Sequence, residues 1–364
     1  MSNLSCGIVG LPNVGKSSLF NALTRKQIPS ENYPFCTIDP NVGIVNVVDK
    51  RLDTLSEQSH SKKIIYATCS FVDIAGLVKG ASQGEGLGNQ FLTHIRETDA
   101  IIQVVRCFEN ENVIHVAGRI DPIADIEVIT LELILADLQM AENAYSRSEK
   151  LAKGKKELVP TIDFLKKAQE HLNQNLPLRS LPLTPAEEAI AKLYPFLTKK
   201  KILYVCNVGE EDVPAMDNPY VQKVREYAAK EGSPVIAVCA KLEEEISQLD
   251  EKDAQEFLQS LGLKESGLDR LIKEAFNLLG LITYITSGDI ETRAWTISKG
   301  TPAAEAAGKI HSDIEKGFIR AEVVSYEDMI KYKGRVGARE AGKARSEGRE
   351  YIVQDGDVIL FYHN

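Results

Sequence analysis

Apolar and polar positions along this 364-residue chain change period several times. Residues 4–9 read LSCGIV, a short apolar run that enters a Gly-rich turn, and residues 16–25 carry the spacing of a helix. Apolar runs at about 43–48, 69–73, 100–106, 202–206 and 234–238 predict further strands. The last three (AIIQVVR, ILYVC, PVIAVC) are almost continuously apolar, as strands covered on both faces should be. Helical stretches separate them, so the pattern predicts a doubly wound α/β sheet.

The alternation breaks between about 127 and 200. EVITLELILADLQMAENAYSRSEKLAK has helical spacing and no strand signal, and a second helix is expected near 157–174. A Pro-punctuated loop then leads to Thr184-Pro-Ala-Glu187, the signature of a capping box with Pro at the first helical position. We read residues 127–200 as a helical hairpin inserted into a nucleotide-binding domain of residues 1–126 and 201–280. Its apolar repeat resembles a short antiparallel coiled coil. After about residue 280 the strand-like stretches LITYIT, TRAWTIS, FIRAEVV and YIVQDGDVILFYHN surround a helix, TPAAEAAGKIH. Residues 281–364 therefore predict a small α+β domain, with Asp355-Gly356 as a two-residue hairpin turn between strands.

Composition narrows the class. Hydrophobic residues are 43% and charged residues 26%, as in a soluble globular chain. No apolar run nears the roughly 20 residues of a membrane span, and the N-terminus lacks a basic segment before its apolar stretch. The expectation is a cytoplasmic protein without a membrane partner. Six cysteines without a C-x-x-C pair read as buried reduced thiols. The net charge of −9 rules out nucleic-acid binding by overall charge.

Chemistry enters at GLPNVGKSS. Gly10-x4-Gly15-Lys16-Ser17 follows a strand and opens a helix, which is the phosphate-binding loop pattern. Its glycines let backbone N–H groups turn toward phosphate oxygens, so Asn13, Val14, Gly15, Lys16, Ser17 and Ser18 are expected to bind nucleotide. Lys16 can reach the β- and γ-phosphates, and Ser17 can ligate Mg²⁺. Asp73 closes the apolar run CSFVD and suits a contact to the same ion, while Gly76 can place an N–H on the γ-phosphate. Between them, Thr37 is a candidate second hydroxyl ligand for Mg²⁺.

The segments GLPNVGKSS, NYPFCTIDPN, DIAGLVKGASQGEGLGNQFL, IRETDAI and VVRCFEN resemble the YchF subfamily of the Obg-related P-loop NTPases, nearly end to end. The helical insert fits that pattern too, and FIRAEV and YIVQDGDV occupy the place of the subfamily's TGS (β-grasp-like) domain. The resemblance implies a translation-linked NTPase that contacts ribosomes, with a degenerate base-reading motif and ATP preferred or accepted beside GTP. It also supports Thr37 as a Mg²⁺ ligand.

That motif is LYVCNVGEED. GTPases read guanine with Asn-Lys-x-Asp; here Asn207 is followed by Val208, and Glu210 stands in place of the Asp. A carboxylate reads guanine by accepting from N1–H and N2–H₂, each bond contributing about 1.5–3 kcal/mol. Adenine offers an acceptor at N1, so a carboxylate there would repel it. We therefore expect Asn207 and the backbone near Val208 to contact adenine, with Cys239, Ala240 and Lys241 near the base edge. Leu77 occupies the place of the water-orienting Gln and cannot hydrogen-bond. His115 is the expected water-positioning residue, with His94 as runner-up, and the subfamily's HVxG segment supports His115. Asn13 is a candidate ligand for K⁺. Residues 331–349 hold seven basic and two acidic side chains, a net of +5, which suits RNA backbone. The leading reading is a monomeric, slow, ribosome-linked ATPase. Its rivals are a GTPase with a tolerant base pocket and a nucleotide-gated RNA- or ribosome-binding module with negligible turnover.

Overall fold

A computed structural model of the chain describes residues 4–27, 41–74, 87–110, 118–152 and 155–364. Two compact units are present: residues 1–43 with 70–271, and residues 44–69 with 272–364. The strands in chain order are β1 (Ser5–Val9), β2 (Val42–Val47), β3 (Lys63–Ile65), β4 (Ala67–Asp73), β5 (Ala100–Arg106), β6 (Lys201–Asn207), β7 (Val235–Val238), β8 (Leu281–Ser287), β9 (Glu291–Ser298), β10 (Phe318–Val324), β11 (Arg345–Glu347) and β12 (Val358–His363).

The first sheet runs β2-β4-β1-β5-β6-β7. The pairs β4/β1, β1/β5, β5/β6 and β6/β7 are parallel. β5 is buried along its whole length and β6 at every residue but its first, as their unbroken apolar runs require. Parallel pairing puts the carboxyl ends of β4, β1, β5, β6 and β7 on one edge. Ile8 lies beside Asp73, Arg106 beside Asn207, and Asn207 beside Val238. The loops that follow these residues therefore meet at that edge, where open α/β sheets bind their ligands.

The predicted long helix spans Pro122–Leu151, capped by Asp121, whose side chain accepts from Ala124 N at 3.1 Å. Its first half buries Ile126, Ile129 and Leu133 in the core of the parallel sheet. Other positions take a different partner: Ile134 and Ala141 pack with Phe164, Leu165 and Ala168 of the helix Val159–Leu172. The capping box forms, with Thr184 Oγ1 accepting from Glu187 N at 3.2 Å and Glu187 Oε2 accepting from Thr184 N at 2.8 Å. Asp137, 1% exposed, accepts from Leu197 N and Thr198 N at 2.8 Å each, and so fixes the segment that leads into β6. Burial pushes its carboxyl up to about 6.

The second unit carries the sheet β11-β10-β12-β8-β9-β3. β8/β9 and β10/β12 are antiparallel, whereas β12/β8 and β3/β9 are parallel. One face buries Tyr284, Ile297, Ala321, Val323 and Ile359 beneath the alanine-rich helix Ala303–Gly308. Two expectations change here. Residues 44–69 and 272–280, expected in the nucleotide-binding domain, group with the C-terminal residues, although β2 and β4 run in the first sheet; β3 pairs with β9 over two hundred positions away. The Asp355-Gly356 turn does not join two strands of a hairpin. Ile352 forms an isolated bridge to Pro302 instead, and Asp355 accepts from Thr283 N at 3.0 Å and Arg51 Nη1 at 2.9 Å. Of the cysteines, Cys6, Cys69, Cys107, Cys206 and Cys239 are buried free thiols; Cys36 lies outside the described residues. No helix among the described residues is long and apolar enough to cross a membrane.

Candidate nucleotide-binding site

The loop after β1 turns through two left-handed residues, Asn13 (φ 63°) and Gly15 (φ 96°). Asn tolerates this region better than most L residues. Gly15 is required twice over. Its backbone would strain any side chain, and a Cβ built on it collides with Asn207 Nδ2. Gly15 is also the cap of the helix Lys16–Arg25, which has no side-chain cap and no acidic residue in its first turn. Its opening N–H groups thus receive no acceptor from the capping side chain. Gly10 is equally confined: a Cβ there would stand 2.9 Å from Val14 Cγ2 and 3.1 Å from Val104 O.

Inside this loop Lys16 Nζ pairs with Asp73 Oδ1. Both side chains are mostly buried, at 13% and 24% exposed. Asp73 reaches Lys16 because β4 runs parallel to β1 and ends level with it. The structure thus joins two residues that the sequence separates by 57 positions.

Asn207 ties the loop to the far strands. Its Nδ2 donates to Val14 O at 2.9 Å, and its Oδ1 accepts from Ala240 N at 2.9 Å. Ala240 opens the helix Ala240–Ile246, whose cap residue Cys239 supplies no side-chain hydrogen bond. Asn207 therefore serves as a remote cap for that helix while holding the phosphate-type loop closed. One Nδ2–H and one lone pair on Oδ1 remain beyond these two bonds. One turn further, the buried Glu243 accepts from Gly267 N at 2.6 Å and Leu268 N at 3.1 Å.

A cavity of about 620 Å³ opens at this edge. It is lined by Gly10, Asn13, Gly15, Lys16, Ser17 and Ser18 of the loop and helix start, and by Phe108, Asn110, Asn207, Ala240 and Lys241 from other strand ends. Val14, Val208 and Cys239 stand behind this surface, each 2% exposed or less. The Val208 N–H donates to Val238 O at 2.9 Å, so the sheet has already taken the donor that the sequence offered to a base. Burial pushes the Cys239 thiol up to about 11. Thr37, Gly76 and His115 lie outside the described residues, as does Leu77; His94 is exposed on the helix Leu87–Glu97.

Sequence reasoning missed Phe108 and Asn110. Their anchor is Arg106, 1% exposed at the end of β5. Its Nε donates to Phe108 O at 3.2 Å, its Nη2 to Asn110 O at 3.3 Å, and its guanidinium lies 4.5 Å from the Phe108 ring centre. An Arg ending an apolar strand was the available signal. It needs buried acceptors, and the following loop supplies them. Glu210, three residues past Asn207, does not line the cavity; its Oε2 lies 2.5 Å from Lys241 Nζ.

The basic segment 331–349 is less free than its composition suggests. Arg335 and Arg339 both hold Glu322, at 3.0 and 2.9 Å, and Arg335 also donates to Glu322 O and Val358 O at 3.2 Å. Arg345 faces Glu347 and Asp357. Lys331, Lys333, Lys343 and Arg349 have no carboxylate partner among the described residues, and they carry what remains of the patch.

Comparison with known proteins agrees with this architecture. Residues 5–137 match the family described as 50S ribosome-binding GTPase, and residues 281–364 match the YchF-GTPase C-terminal family, described as a protein of unknown function (DUF933). The Ribosome-binding ATPase YchF of Bacillus subtilis is 55% identical over 363 residues, covering 99% of each chain. That of Escherichia coli O157:H7 is 55% identical over 360 residues, again covering 99% of both. The solved structure of the Schizosaccharomyces pombe YchF GTPase superposes with a TM-score of 0.88 at 37% identity, over 99% of this chain and 98% of that one. Full-length identity at this level, on a chain whose strand ends build a phosphate-type loop opposite an Asn–Ala240 brace, shows that this protein belongs to the YchF family of P-loop NTPases.

Proposed function

We propose that this protein is a cytoplasmic, ribosome-associated switch that binds ATP in preference to GTP and hydrolyses it slowly with Mg²⁺. The observation that carries the reading is the closed loop. Lys16 faces Asp73 on the wall of a cavity of about 620 Å³, and Asn207 braces the loop from behind. Lys16 supplies a positive charge for the β- and γ-phosphates, and the uncapped N–H groups of its helix supply donors. The preference for ATP is supported by the position of Glu210, whose carboxylate is held by Lys241. Phe108 offers an aromatic surface to the same cavity.

The donors around Lys16 fit Mg²⁺. The Ser17 hydroxyl and the Asp73 carboxylate are hard oxygen ligands, the type this ion selects, with Thr37 as the further hydroxyl. When bound, Mg²⁺ would neutralise charge on the phosphates. Asn13, at the left-handed bend, is the proposed ligand for K⁺. His115 is the proposed group that orients water, since Leu77 cannot. The second unit is read as a TGS-like, β-grasp-like domain. Lys331, Lys333, Lys343 and Arg349 are its proposed contacts to ribosomal RNA, and the helices after residue 122 form a coiled-coil-like arm. The protein is taken to be a monomer. Ribosome binding is named for its relatives and comes to this chain as part of the proposal.

Calorimetric titration with ATP and GTP in Mg²⁺ and K⁺, beside co-sedimentation with ribosomes, tests the reading. The expected result is tighter ATP binding, lost in Lys16→Ala, and co-sedimentation that depends on nucleotide. Tighter GTP binding, or no ribosome binding in any nucleotide state, overturns it.

A further inference from the structure

We infer that Lys241 sets the base selectivity of this site by holding Glu210 away from the base; the inference rests on the ATP reading above. Glu210 occupies the position where a guanine-reading acid belongs, three residues after Asn207. It opens a short 3₁₀ turn, Glu210–Asp212, directly after β6. Its carboxylate nevertheless turns to the opening turn of the neighbouring helix, where Oε2 lies 2.5 Å from Lys241 Nζ. Lys241 lines the cavity and Glu210 does not.

The chemistry of the two purines gives this arrangement its consequence. Guanine presents N1–H and N2–H₂, which need an acceptor carrying negative charge. A lysine ammonium has three donors and no acceptor, so it cannot replace a carboxylate at that edge. A carboxylate neutralised by an ammonium is also a weaker acceptor. Adenine presents an acceptor at N1 and loses nothing when the carboxylate is withdrawn. Asp212, two residues on, is bound to Asn218 Nδ2 at 2.8 Å, and neither it nor Glu211 lines the cavity. Both members of the pair are exposed, at 65% and 48%, so the contact is worth little to folding. Its effect appears in selectivity, because it decides where one carboxylate points.

The test measures dissociation constants for ADP and GDP by calorimetry, which avoids turnover. The proteins are the wild type, Lys241→Met (which keeps the aliphatic stem), Glu210→Gln and the double variant. Lys241→Met is expected to shift the ADP-to-GDP affinity ratio about tenfold toward GDP, the size of one charge-assisted hydrogen bond regained. The double variant is expected to return to the ratio of Glu210→Gln, because the reader is then gone. An unchanged ratio in Lys241→Met overturns the inference while the ATP reading stands. A shift that survives in the double variant also overturns it, since Glu210 would not be its source. A wild-type protein that prefers GDP refutes the ATP reading itself, whatever the variants do.

Discussion

Replacing Asn207 by Ala isolates what the brace does. The side chain is 5% exposed and joins two backbone groups, Val14 O and Ala240 N, each at 2.9 Å. Their residues are 1% and 2% exposed. Losing the amide leaves a buried carbonyl and a buried N–H without partners, at about 1–3 kcal/mol each. The upper end assumes that no water arrives. Asn207 borders the cavity, so water can reach at least one of the two groups. The expected loss is therefore about 2–3 kcal/mol, toward the low end of the summed range. The assay is urea unfolding followed by circular dichroism, because the single tryptophan, Trp295, belongs to the other unit. Hydrogen exchange gives a local readout: the Ala240 amide should lose protection in the variant. Nucleotide affinity should fall with it, since the loop that carries Lys16 is no longer tied to the helix after β7. Asn207→Asp should be at least as damaging, because it aims a carboxylate oxygen at the Val14 carbonyl. A stability loss below about 0.5 kcal/mol, the level of an ordinary surface substitution, would refute the reasoning.

Four further predictions rest on other residues. Gly15→Ala combines left-handed backbone with a collision against Asn207 Nδ2, so nucleotide binding should be lost in calorimetry while the second unit, read by Trp295 fluorescence, melts unchanged. The folded-state pKa of Asp137 is raised, so the folded state holds its proton more tightly than the unfolded chain does. Its contribution is therefore most favourable below the unfolded value and is lost as pH rises toward and past 6; the wild type should lose about 1–1.5 kcal/mol relative to Asp137→Asn between pH 5 and 7.5 in paired urea titrations. In the second unit, Arg335→Ala removes a nearly buried partner of Glu322 and should destabilise by about 2–4 kcal/mol, seen in Trp295 fluorescence. Lys343→Glu should leave that transition within about 0.5 kcal/mol yet weaken sedimentation with RNA, most clearly at low salt.

The central strands β5 and β6 were legible because each is a run whose composition answers to burial on both faces. β5 and β6 fall where the apolar runs AIIQVVR and ILYVC predict them. The phosphate-type loop was legible for a different reason: Gly10, Gly15, Lys16 and Ser17 are constrained by backbone geometry within a few residues. The capping box at Thr184 and Glu187 is local in the same sense. What failed was non-local or depended on side-chain direction. Nothing in KII at 63–65 announces pairing with residues 291–293, because three residues carry too little pattern to name a partner. The charge of segment 331–349 counted arginines that Glu322, Glu347 and Asp357 partly neutralise, and two of those three acids lie outside the segment.

Residue pattern alone was enough for the central strands, the phosphate-type loop and the absence of the usual guanine-reading residues at Val208 and Glu210. These follow from short-range propensity and from residue types that one position either has or lacks. Only the tertiary structure decided that Asn207 is a brace between two backbone segments, that Arg106 presents Phe108 to the cavity, and that Glu210 turns to Lys241. Each of these is a choice of hydrogen-bond or charge partner. Such choices are made by which groups a parallel sheet brings to one edge, and that neighbourhood exists only after the chain has folded.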